Sequence, residues 1–265
     1  MMSKFNSMFA LATAAAIVFG GVSSAVAATL DVTSVNGNWT GLGSDASHIP
    51  TNVTGLNTNS VSWGTPFVRS KTGKQSGYSF VGAASGQIES DTDFDLGTFT
   101  HHNFVINTGT SITGAGLGLV VNMVIGGVDR ALTTAFNFSH DETMNLGEAN
   151  GLCKNGDAYG VGKNSAGCAD KVTILDNTAQ QDTFEVAGFL YILEITGFTQ
   201  EGKTFSEFWT TEDQANSAIL RARFTLVGPV PPIDPPPAPV PLPAAGWMVL
   251  TGLGALAATR ARRKT

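Results

Sequence analysis

The run Gly116-Leu117-Gly118-Leu119-Val120-Val121-Asn122-Met123-Val124-Ile125 decides the fold class. Leu117, Leu119, Val121, Met123 and Ile125 fall on one face at a period of two, opposite Gly116, Gly118, Val120, Asn122 and Val124. That is the spacing of a half-buried β-strand, whose successive side chains point to opposite faces. Just downstream, Leu132, Phe136 and Phe138 share a face against Ala131, Thr133, Ala135, Asn137 and Ser139. Phe189, Tyr191, Leu193 and Ile195 form a third row, and Ala222, Phe224 and Leu226 a fourth, opposite Arg221 and Arg223. Clusters of Thr, Gly, Asn and Ser separate the rows, as turn chemistry requires. No long amphipathic helix interrupts them. Antiparallel strands without helical crossovers predict an all-β domain, an antiparallel β-sandwich with jelly-roll-like connections. One helix start stands out: Thr211-Glu212-Asp213-Gln214 has the T-x-x-Q spacing of a capping box and predicts a short helix over 212–217. No repeat of about 20–50 residues is visible, which argues against a solenoid.

Outward from these strands, each end of the 265-residue chain has its own pattern. Lys4 precedes the apolar run 8–20, and small residues follow, ending Ala25-Val26-Ala27-Ala28. Charge, apolar core and A-x-A site in that order read as a secretory signal peptide over 1–27, handled by the Sec machinery and cut after Ala27. The alternative is a retained signal anchor, but the apolar run is short for about 30 Å of hydrocarbon. At the other end, residues 229–243 are proline-rich and favour extended polyproline II, a stiff spacer that packs no core. Residues 244–259 carry no charge, and Arg260, Arg262, Arg263 and Lys264 close the chain. With 240–243 included, the uncharged stretch reaches the roughly 20 residues of a single transmembrane helix. The basic end then places the C-terminus on the cytoplasmic side of the inner membrane. The tail is therefore either an ordinary anchor helix or a sorting signal that an enzyme removes.

Residues 29–228 remain, enough for one fairly large domain or two small ones. Of the chain's 21 acidic residues only Asp234 lies outside this segment, and of its 15 basic residues Lys4 and the four tail positives do, so the domain stands near −10. Such a surface disfavours nucleic acid, whose binding rests on Lys and Arg neutralising phosphate. It is compatible with calcium or simply with solubility.

The segment has several candidate sites. Cys153 and Cys168 lie in one Gly/Asn/Asp-rich loop, and in an oxidising compartment they are expected to form a disulfide; a metal pair is the alternative, but it lacks C-x-x-C spacing. Asp91, Asp93 and Asp95 alternate, so their carboxylates can converge on calcium, although an EF-hand is excluded by Leu96 and His102 at its sixth and twelfth positions. A solvated acidic strand end is the other reading. His101 and Asn103 share a face of an expected strand, and His140 is followed by Asp141 and Glu142. If those two strands pair, they can build a zinc or calcium site; otherwise they form a hydrogen-bond network at a sheet corner. Nucleophilic catalysis finds no G-x-S-x-G elbow and no H-E-x-x-H motif.

Two stretches resemble known families. Val240-Pro241-Leu242-Pro243-Ala244, followed by the Gly/Ala/Leu-rich span and the basic end, resembles the VPLPA-CTERM sorting signal, a relative of the PEP-CTERM group, over 240–265. The resemblance implies processing by an exosortase, an integral-membrane enzyme of Gram-negative bacteria that make exopolysaccharide. Leu242-Pro243-Ala244-Ala245-Gly246 is also similar to the sortase motif, but Ala245 stands where that family needs threonine. Over about 61–227 the chain resembles the choice-of-anchor K domain. The residues concerned are Ser62-Trp63-Gly64-Thr65-Pro66, Ser76-Gly77-Tyr78-Ser79-Phe80, 94–103, 140–145, the cysteine loop, 188–198 and Phe208-Trp209-Thr210-Thr211-Glu212. One departure is Phe104-Val105-Ile106, where the family tends to have a proline before the isoleucine. That family implies an extracellular β-rich domain joined to a C-terminal anchor, with no established activity.

The expectation is an exported, surface-anchored or matrix-associated protein with a non-enzymatic structural or adhesive role. The alternative is a carbohydrate-binding module that presents Trp39, Trp63, Tyr78 and Trp209 as a platform, with buried core aromatics as the competing reading of those residues. A secreted hydrolase ranks third.

Overall fold

Alternation of apolar and polar residues dominates the computed structural model, which describes residues 29–175 and 183–231. The strands are β1 (Thr29–Gly43), β2 (Ser60–Trp63), β3 (Ser76–Gly82), β4 (Gly86–Glu89), β5 (Phe94–Asn103), β6 (Gly114–Ile125) and β7 (Val128–Asp141). They continue with β8 (Asp170–Ile174), β9 (Phe184–Val186), β10 (Phe189–Gln200), β11 (Lys203–Phe205), β12 (Glu207–Thr210) and β13 (Gln214–Pro229). One sheet has the order β12-β8-β7-β6-β1-β4, and the other β11-β10-β13-β5-β3-β2 with β9 beside β10. The pairings within both sheets are antiparallel. The domain is therefore all-β and consistent with a β-sandwich. Among the described residues there is no α-helix, only a 3-10 turn at Gly162–Asn164.

The core lies between the sheets and is largely aromatic. Trp39 of β1 meets Tyr78 of β3 and Phe99 of β5 at ring-centroid distances of 5.1 and 5.6 Å. Phe99 also reaches Phe138 of β7 and Phe198 of β10, each at 5.3 Å. Edge-on and tilted rings of this kind interlock the two inner faces.

The four expected strand rows are present, on β6, β7, β10 and β13. On β10 the alternation changes parity: Tyr191 and Leu193 point inward, and after a register shift between Ile195 and Gly197 the inward residue is Phe198. One inserted residue moves every later side chain to the other face.

The expected helix over 212–217 is not there. Thr211, Glu212 and Asp213 form a turn, with Asp213 at a φ of 60°, and β13 already begins at Gln214. Two interactions favour the strand. Asn216, Ala218 and Leu220 alternate inward while Ala215, Asn216 and Ser217 pair with His102, His101 and Thr100 of β5. Asn216 also clamps the turn, since its Oδ1 accepts from Thr211 N at 2.9 Å and its Nδ2 donates to Thr211 O at 2.8 Å.

β1 was not legible as a strand row because its inward line holds a glycine. A Cβ on Gly37 would stand 2.5 Å from Phe80 Cδ1 and 2.9 Å from Leu119 Cδ2. The missing side chain lets β1 approach both sheets' core residues. Gly37→Ala is therefore expected to lower stability by about 1–3 kcal/mol through overpacking. Urea unfolding should show a lower midpoint at an unchanged slope, and an unaltered midpoint would contradict the packing described.

Candidate functional site

The parity that builds the apolar core also points polar residues inward at one end of the sandwich. His101 and Asn103 follow Phe99 on β5, His140 follows Phe138 on β7, Asp170 precedes Val172 on β8, and Thr210 follows Phe208 on β12. All five are buried, His140 the least at 6 % exposure. β5 belongs to one sheet and β7, β8 and β12 to the other. The two histidine strands thus do not pair edge to edge, as one reading of the sequence required; they face each other across the interior. The imidazole centroids of His101 and His140 are 5.2 Å apart.

Hydrogen bonds fix most of these groups. Thr210 Oγ1 donates its single proton to the carbonyl of Asp170 at 3.2 Å and lies 2.8 Å from His101 Nδ1. With that proton committed, Nδ1 of His101 is the donor and Nε2 holds the lone pair. Asn103 Nδ2 donates to Thr210 O at 3.1 Å. The Tyr78 hydroxyl is 2.6 Å from His140 Nδ1, and His140 Nε2 is 3.3 Å from Glu142 Oε2, which accepts from Ser111 Oγ at 2.7 Å. Thr143 N donates to Asp170 Oδ1 at 2.7 Å. The Glu212 carboxyl hydrogen-bonds the side chains of Asp170 and Asn103, and no donor is assigned to His101 Nε2, Asn103 Oδ1 or Asp170 Oδ2.

The electrostatics follow from burial. Asp170 is held well above the ordinary carboxylate range by burial first, then by the charges of Glu142 and Glu212. Glu212 is pushed up to about 8 by burial and by Glu142 and Asp213. Burial and the neighbouring His140 and His102 hold His101 well below its usual value, so its ring is neutral. Among the described residues no lysine or arginine pairs with Glu142, Asp170 or Glu212. Imidazole and carboxylate are metal-ligand types, and ligand atoms of His101, His140 and Asp170 all lie within 4.8 Å of one another, as do those of Glu142, Asp170 and Glu212.

The cysteine loop packs over this end. Cys153 and Cys168 form a disulfide with Cα atoms 5.4 Å apart, which settles the choice between disulfide and metal pair. Within the loop, buried Asn164 accepts from Ala169 N at 3.0 Å and donates to Asn155 Oδ1 at 3.0 Å. The Thr143 hydroxyl donates to Cys168 O at 3.1 Å, and Gly167 lies close enough to Glu212 that a Cβ there would sit 3.0 Å from its Cγ. The disulfide thus tethers the segment that shields Asp170 and Glu212.

The other candidates fall elsewhere. Trp39, Trp63 and Tyr78 are fully buried, so they are core residues and form no exposed platform; Trp209 alone of the four is partly exposed, with Lys171 Nζ 5.4 Å over its ring. Asp93 Oδ1 accepts from Arg223 Nε at 2.9 Å, Asp95 pairs with Arg221, and Asp91 Oδ1 accepts from Leu226 N at 3.3 Å. These three carboxylates are engaged by β13 and do not converge as a calcium site would need; the arginines that β13 turns outward supply the opposing charge. Signal cleavage at Ala27 and the sorting motif Val240, Pro241, Leu242, Pro243 and Ala244 lie outside the described residues.

Asp170, Glu212 and Thr210 were not recognised from sequence as site residues, and Tyr78 was read there only as a candidate for a sugar platform. For Asp170 and Thr210 a signal existed, since each is a polar residue at the inward parity of a short apolar strand. Glu212 sits in a turn, where no parity applies. The chain matches no protein-family model and no curated protein.

Replacing Cys153 and Cys168 by alanine together should cost about 3 kcal/mol by the chain-entropy argument for a loop of this length. Thermal unfolding of the double variant measures the loss, and mass spectrometry of non-reduced digests should find the linked peptides in the parent; two free thiols there would contradict the pairing.

Proposed function

We propose that the chain is an exported protein of a Gram-negative bacterium, presented at the cell surface or in the exopolysaccharide (biofilm) matrix in a non-enzymatic, structural or adhesive role. The observation that carries this reading is the Cys153–Cys168 disulfide inside the β-domain, because such bonds persist in oxidising, extracytoplasmic compartments. The signal-like residues 1–27, the resemblance of 61–227 to the choice-of-anchor K domain and that of 240–265 to VPLPA-CTERM signals agree with it. In this reading the domain is a jelly-roll-like module carried on a Pro-rich spacer.

The tail acts as a transient hold. Gly246, Gly252 and Gly254 weaken its helix by propensity, and the basic end stops translocation. Val240 to Ala244 then stand near the outer face, where an exosortase cuts and releases or transfers the domain. A second reading, a carbohydrate-binding module, has one observation in its favour. An open groove lined by Thr98, Thr199, Gln200, Lys203 and Ser217 includes Phe205, which is 48 % exposed. A ring beside hydroxyl, amide and ammonium groups suits a sugar face, and a glycan array distinguishes the two readings.

Pro241→Ala with Pro243→Ala should block processing while export and folding continue. Intact-mass measurement of the surface form reads the outcome. Parent protein that keeps Arg260 to Thr265 in an exosortase-positive host would make the tail a permanent anchor.

A further inference from the structure

We infer that His101, His140 and Asp170 form a buried site for a divalent transition metal of the zinc class. Three buried acceptors, His101 Nε2, Asn103 Oδ1 and Asp170 Oδ2, have no assigned donor, while Glu212 hydrogen-bonds the side chains of Asp170 and Asn103. An unpaired buried acceptor is costly. A cation satisfies several lone pairs at once and takes the place of the carboxyl proton of Asp170.

Geometry permits it. Three ligand atoms no more than 4.8 Å apart enclose a centre within about 2.8 Å of each, so shifts of about 0.7 Å bring them to the usual 2.0–2.2 Å bonds of zinc. The histidines are already oriented as ligands. A metal-bound imidazole donates its other N–H to a fixed acceptor, and His101 Nδ1 does so to Thr210 Oγ1 at 2.8 Å. The Tyr78 hydroxyl, 2.6 Å from His140 Nδ1, can play the same part for the second ring once Nε2, which faces Glu142 Oε2 at 3.3 Å, turns to the ion. Two imidazoles with carboxylates favour a transition metal over calcium, which takes six to eight oxygens. Both cysteines are in the disulfide, so the described residues supply no thiolate. His101 and Asp170 are 0 % exposed and His140 6 %, which makes the site a buried one. Bound there, the ion ties β5 of one sheet to β7 and β8 of the other.

The full-length chain, recovered without a polyhistidine tag from the envelope of an exporting host, should carry about one transition-metal ion per molecule by elemental analysis. Stripping with a chelator should lower the thermal midpoint by about 5 °C or more, and zinc or cobalt should restore it. Cobalt should give the visible absorption of a tetrahedral nitrogen and oxygen site. His101→Gln should abolish that absorption, and Tyr78→Phe, which keeps the ring in the core, should weaken cobalt affinity about 10–100-fold. His102→Gln, on the opposite face of β5, should change neither. A parent chain without metal, whose midpoint responds to neither chelator nor added zinc or cobalt, overturns the proposal whether or not the variants fold. Cobalt binding of unchanged affinity in folded His101→Gln and Tyr78→Phe overturns it too.

Discussion

Two sheets that cover each other must fill the space between them, and at one end of this sandwich that space is filled by carboxylates and imidazoles. Burying a carboxylate without a partner is among the most expensive things a fold can do. Here Asp170 and Glu212 are buried together with Glu142 beside them, and burial with the neighbouring acids holds both well above the ordinary carboxylate range. The surrounding structure is arranged about that constraint. Thr210 orients His101, Tyr78 holds His140, Thr143 donates to Asp170, and the disulfide loop closes over the outside. Sheet pairing explains where the strands run; the polar end explains why β5, β7, β8 and the turn before β13 meet where they do.

Much of the fold was readable because strands with one buried face write a period of two into the sequence. The rows on β6, β7, β10 and β13 were visible in this way. β1 was hidden by Gly37 in its inward line and by a register shift between Val32 and Ser34 that moves the parity. The turn at 211–213 imitated a helix start because the same Thr and Gln types serve caps and turns, and only the pairing of β13 with β5 separates the cases. The shared face of His101 and Asn103 was also readable. Their partners were not, because Asp170 and Thr210 come from distant strands and Glu212 from a turn. Long-range convergence of that kind depends on topology, which no local spacing encodes.

The outer surface and the interior point to different aspects of the molecule. Outside, the carboxylates of Asp93 and Asp95 meet the arginines of β13, an arrangement of exposed ion pairs whose net contribution is small. Inside, three large aromatics that a sugar platform would have needed at the surface, Trp39, Trp63 and Tyr78, instead build the core. The covalent and polar cross-links sit together, disulfide beside buried site, at one end of the sheets. Such reinforcement raises resistance to unfolding, which the extracytoplasmic role proposed above would call for.

The most direct test of the buried site is anomalous X-ray diffraction from crystals of the chain purified from its native host, recorded at the absorption edge of the metal that co-purifies with it. The account predicts one anomalous peak between His101 and His140, about 2.0–2.2 Å from His101 Nε2 and from Asp170 Oδ2. An interior with no such peak, holding only water or directly hydrogen-bonded protonated carboxyl groups among those residues, would contradict it.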